Sequence, residues 1–122
     1  MIWFLVACNP ISLEFSPENN GCENVDFDNP AESEIIVQED GADLLVQRTM
    51  VFQSGDAEFT PTYSVDGYKI FIREYWEGGT DEENFCWTPT VRIIDHPEIN
   101  LEFWWYIADA AISVDVLQYE PQ

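Results

Sequence analysis

From residue 34 onward, short apolar runs alternate with turn signals, and the period is that of strands. The stretch 34–38 has an Ile-Ile-Val centre and ends at Glu39-Asp40-Gly41, a turn signal. The stretch 43–52 is rich in β-branched and aromatic residues, and Ser54-Gly55-Asp56 is the next break. The stretch 58–65 is a weaker strand interrupted by Pro61, which suggests an edge. Asp66-Gly67 is a hairpin signal leading into 68–76. The most polar loop spans 77–84. A strand resumes over 85–94, with Pro89 marking a bulge or bend, and Asp95-His96-Pro97 turns the chain. The stretch 99–107 has the clearest period of two. Ile99, Leu101, Phe103, Trp105 and Ile107 share one face; Asn100, Glu102, Trp104 and Tyr106 share the other. Last comes 112–120, where Ile112, Val114 and Val116 oppose Ser113, Asp115 and Leu117.

About seven short strands at these intervals predict an all-β fold, an antiparallel, immunoglobulin-like sandwich; a small β-barrel is the alternative. The Cys-Trp-Cys spacing of immunoglobulin domains is absent, so this likeness is architectural. No convincing helix and no internal repeat stands out.

Charge changes the picture. Twenty-four Asp and Glu face four Lys and Arg, a net charge of −20 over 122 residues. The bases are Arg48, Lys69, Arg73 and Arg92. Such a surface repels phosphate backbones, which argues against a nucleic-acid partner, and it attracts cations and basic proteins. It is also repelled by anionic lipid headgroups, so membrane association needs an anchor. With five Trp, five Tyr and eight Phe the chain has material for a core and is not a disordered acidic tail.

The N-terminus offers that anchor. Residues 1–8 are apolar and end at Cys8. Leu5-Val6-Ala7-Cys8 resembles the lipobox of bacterial lipoproteins. The resemblance implies cleavage after Ala7, lipidation of Cys8, and an exported protein tethered to the cell envelope, at the outer membrane or cell surface. It covers four positions and implies no functional family. The seven residues before Cys8 carry no basic n-region, so 1–7 reads as a truncated signal-peptide-like segment. Residues 8–33, rich in Asn, Pro, Ser and acids, read as an acidic tether, and 34–122 as the sandwich domain. Lipidating Cys8 leaves Cys22 and Cys86 as a pair, expected to form a disulfide in an exported chain.

Two further clusters are candidate sites. The loop 77–84 offers Asp81, Glu82 and Glu83 as Ca²⁺ ligands, the one cofactor considered, although it lacks the spaced pattern of an EF-hand. Trp76, Trp104 and Tyr106 are a candidate binding patch, since exposed aromatics on a sheet can stack on sugars or bury a partner's side chain. Catalysis has little support. His96 is the single histidine and precedes a proline in a turn, and there is no nucleophile triad or phosphate-cradling loop.

The first functional reading is a non-enzymatic binding or adhesion module with a protein or glycan ligand. The second is a structural, salt-adapted surface lipoprotein without a specific ligand. A small hydrolase using two carboxylates ranks last.

Overall fold

Alternating burial runs along the strands of the computed structural model, which describes residues 13–22, 35–48, 51–79 and 84–121. Among the described residues there are eleven strands and no helix. They are β1 (Glu14–Gly21), β2 (Ile35–Asp40), β3 (Asp43–Arg48), β4 (Val51–Ser54), β5 (Ala57–Phe59), β6 (Thr62–Asp66), β7 (Lys69–Glu74), β8 (Trp76–Gly78), β9 (Asn84–Ile94), β10 (Leu101–Ile107) and β11 (Asp115–Tyr119).

The first sheet has the order β1-β9-β3-β2, with β4 also paired to β9. The second has the order β11-β10-β7-β6. The short β5–β8 ladder continues its β6–β7 hairpin: Phe59 faces Trp76 and Thr62 faces Arg73 in one unbroken register. The ladder lapses at Pro61, which has no N–H to donate, although the Thr60 N–H still reaches the Tyr75 carbonyl at 2.8 Å. The hairpin turns at Gly67, whose φ of 61° suits a residue without Cβ. Every pairing is antiparallel except β7 with β10. That pair is parallel because the chain passes through the first sheet, as β9, before returning as β10.

Leu44, Val46, Val91 and Ile93 from the first sheet meet Ile70, Ile72, Leu101, Phe103 and Trp105 from the second in one core. All but Leu101 are fully inaccessible. The inward parity of 99–107 is therefore as the sequence predicts at Leu101, Phe103 and Trp105. Ile99 and Ile107, at the strand's ends, are exposed.

The all-β sandwich is as expected, and it does not close into a barrel. Three differences have physical causes. The strands number eleven instead of about seven because three expected runs are each divided. The run 43–52 divides where its register against β9 shifts by one residue, from Gln47 opposite Thr90 to Val51 opposite Trp87. The other two, 58–65 and 68–76, divide where Pro61 interrupts their shared ladder. The eleventh strand is β1. It lies inside the stretch read as a tether and pairs with β9 along its whole length, from Glu14 opposite Ile94 to Gly21 opposite Trp87. Its neighbours hold it there despite its poor propensity: Leu13 and Phe15 pack against the core, and Glu18 meets Arg92. Finally, Ile112, Val114 and Val116 point to solvent, because Leu117 and Tyr119 are the β11 residues that pack on the core.

Candidate functional site

Alternation on β7 and β10 sends Ile70, Ile72, Phe103 and Trp105 inward. It sends Lys69, Phe71, Arg73, Glu102, Trp104 and Tyr106 to the outer face of the second sheet. The parallel register sets Phe71 beside Trp104 and Arg73 beside Tyr106. The Phe71 ring lies 5.9 Å from that of Trp104 and 6.4 Å from that of Tyr106. All three are half-buried and form an aromatic strip whose outer rings tilt by 38° and 39° from that of Phe71. Exposed Val116 extends it on the β11 side.

Polar groups hold the strip in place. The Trp104 Nε1–H donates to Glu102 at 2.6 Å, which fixes the indole. The Arg73 guanidinium lies 4.5 Å from the Tyr106 ring centre and donates to the carbonyls of Ala108 and Ala110 at 2.8 and 3.0 Å. The Lys69 ammonium sits 5.9 Å from the Trp104 ring. Among the described residues, Lys69 and Arg73 form no ion pair with a carboxylate, whereas the other two cations do. Arg92 is held by Glu18, Asp40 and Asp43 at 2.7–3.0 Å. These carboxylates push its proton affinity above the ordinary guanidinium value. Asp43 is correspondingly lowered, first by the Asp95 N–H and then by Arg92.

Arg48 is paired inside the sandwich, which no motif in the sequence signals. It donates to Glu74 at 2.8 Å, and Glu74 is 2% exposed. The same carboxylate accepts the indole N–H groups of Trp105 at 2.9 Å and Trp76 at 2.8 Å. A buried carboxylate with one guanidinium and two indole donors is well satisfied, which is the condition for tolerating a charge there. An open recess of about 520 Å³ lies above it, walled partly by Val51, Phe52 and Ile107.

No protein-family model, curated protein or solved structure matches the chain.

Of the three residues of the expected aromatic patch, two come together. Trp104 and Tyr106 share a face, but Trp76 does not join them. Its indole turns to Glu74, and its ring packs 5.5 Å from Phe59 on the core side. Phe71 takes its place, together with Lys69 and Arg73. The signal for these was the alternation Lys69-Ile70-Phe71-Ile72-Arg73. Cys22 and Cys86 form the expected disulfide, with Cα atoms 5.4 Å apart. The His96 Nδ1 lies 2.8 Å from the Ala42 carbonyl, tying the 95–97 turn to the β2–β3 hairpin. Cys8 and the proposed Ca²⁺ ligands Asp81, Glu82 and Glu83 lie outside the described residues. Among those described, no cluster of three or more His, Cys, Asp or Glu has metal-binding geometry.

Proposed function

We propose that the protein is a non-enzymatic binding module of a bacterial envelope, tethered through a lipid on Cys8, and that it recognises a neutral glycan on the outer face of the second sheet. The observation that carries the reading is the Phe71–Trp104–Tyr106 strip, flanked by the two described cations that no carboxylate neutralises. A sugar ring has apolar faces and hydroxylated edges. The strip offers rings for the first, and Lys69, Arg73, Glu102 and Gln118 offer donors and acceptors for the second. A polyanionic chain is disfavoured, because it would have to approach a molecule of net charge −20.

The test is a tryptophan-fluorescence titration with soluble neutral polysaccharides, run on the full chain and on Trp104→Ala and Phe71→Ala. Binding should weaken by about tenfold in each variant, the size expected when an aromatic contact worth about 1–2 kcal/mol is removed. If no polysaccharide perturbs the tryptophans, or the variants bind as the parent does, the protein is better read as a structural lipoprotein. The anchor is tested separately: Cys8→Ser should move the protein from the membrane fraction to the soluble one.

A further inference from the structure

The two long sides of the sandwich are finished differently. On one, β1 and β6 meet through Phe15 and Tyr63, whose rings stack at 4.3 Å. On the other, the edge strands β2 and β11 lie side by side, with no backbone ladder between them among the described residues. They run in the same direction, since Ile35 meets Asp115 at one end and Glu39 meets Tyr119 at the other.

The Asp115 carboxylate spans this seam. Its Oδ1 accepts the N–H of Val116, on β11, at 2.9 Å. Its Oδ2 accepts the N–H of Ile35, on β2, at 3.0 Å. At the far end the Tyr119 hydroxyl donates to Glu39. Along the seam runs an open groove of about 650 Å³, lined by Val37 and Leu117, which also pack on the core, and by Glu39 and Glu120.

Backbone direction follows from the pairing. In a strand, the N–H and C=O groups of alternate residues point to the same side. Ile35 turns its N–H to the seam, so Val37 and Glu39 do as well; Val116 does, so Gln118 does as well. These are the unused halves of two ladders. The oxygens of Asp115 occupy the place that carbonyls of an added strand would take.

We propose that the seam is an acceptor site for an extended basic peptide strand of another protein, which enters between β2 and β11 by displacing the Asp115 and Tyr119 contacts. The unused N–H and C=O groups call for an extended backbone. Val37 and Leu117 call for an apolar side chain at alternate positions. Glu39 and Glu120, with no basic residue among the lining, call for Lys or Arg between them. A second copy of this chain is disfavoured because it brings another −20 to the seam. Residues 23–34, which lead into β2, are disfavoured too, since they carry five acids and no base. The site shares only the Gln118 position with the glycan surface, through its backbone instead of its side chain, and does not depend on the glycan reading.

The probe is a short peptide in which Val and Thr alternate with Lys, titrated into the full chain at low salt. Anisotropy and backbone amide shifts are the readouts. Saturable binding should shift the amides of Val37 and Gln118, and a Glu-for-Lys analogue should not bind. N-methylation at alternate residues removes the ladder donors and should weaken binding by about tenfold. Gln118→Pro should weaken it similarly, and it removes an N–H that β10 does not use, so the sandwich survives. Asp115→Ala should bind more tightly, because the seam is no longer plugged. Equal binding of the N-methylated peptide, or normal binding by Gln118→Pro, would reduce the site to plain charge attraction and overturn the proposal. Self-pairing through the same amides, detected by sedimentation without peptide, would assign the seam to a second copy instead.

Discussion

Glu74 sits at an apolar parity position of β7, where Ile70 and Ile72 precede it. A carboxylate there is tolerated only because Arg48, Trp76 and Trp105 converge on it. Arg48→Met would leave the charge buried against two indoles with no counter-charge. Breaking a buried pair in this way costs about 3–5 kcal/mol, to be read as a lower urea midpoint at unchanged slope. Adding Glu74→Leu should recover only part of that, because both indole N–H groups then lose their acceptor. None of this was legible in the sequence. One acid among twenty-four carries no mark, and two of its three partners, Arg48 and Trp105, lie 26 and 31 residues away. The tyrosines give a second check at this scale. Burial raises Tyr63 to about 12; burial and then the Glu39 hydrogen bond raise Tyr119 to about 12. Since both lie above the ordinary value of 10, their neutral forms contribute stability that is fully present below pH 10 and is lost as pH rises through 12. Phenolate absorbance should therefore lag behind that of free tyrosine and rise together with alkaline unfolding. Simultaneous ionisation of all five tyrosines near pH 10, with the fold intact, would contradict this.

At the scale of elements, strands with a clean period of two were legible and the strand without one was not. β10 reads directly because Leu101, Phe103 and Trp105 alternate with Glu102, Trp104 and Tyr106. β1 has Pro17, Asn19, Asn20 and Gly21, a composition that signals a loop, and it is a strand only because β9 offers a complete partner edge. Local propensity cannot report a partner 66 or more residues away. The disulfide fixes the end of this pairing, with the Cys22 N–H also donating to the Cys86 carbonyl at 3.1 Å. The two cysteines are 64 residues apart, and loop-closure entropy for such a span is worth about 4 kcal/mol. Cys86→Ala should lower the melting temperature and raise amide exchange first in β1. An unchanged exchange pattern would mean that the β1–β9 ladder stands without its staple.

At the scale of the molecule, the sequence showed how much charge there is but not where it goes. Of the four bases, Arg48 is paired in the interior and Arg92 is shared by three acids, so the remaining carboxylates on the surface have few opposite neighbours. Self-repulsion should oppose compaction, and salt should relieve it by shortening the screening length from about 10 Å at 0.1 M to about 3 Å at 1 M. The melting temperature should rise with NaCl over that range; a flat response would mean that the acids are spaced widely enough to ignore one another. Fold class was legible because it depends on period and turn chemistry. The outer-face site was legible only in part, because its membership depends on β7 and β10 being parallel neighbours, which strand order in the sequence does not reveal.

The position of the disulfide has a mechanical consequence. In a domain held at Cys8, tension enters through β1 from its Glu14 end. Peeling β1 from β9 would release slack only as far as Cys22, where the chain is covalently joined to Cys86 in the middle of the first sheet. The fourteen residues from Cys8 to Cys22 can extend by roughly 50 Å at most. Beyond that the load bypasses residues 23–85 and passes straight into β9, so the loop containing β2 to β8 is shielded from the pull. Single-molecule stretching from the N-terminus should show one short, reversible extension under oxidising conditions and a much longer unravelling once the bond is reduced.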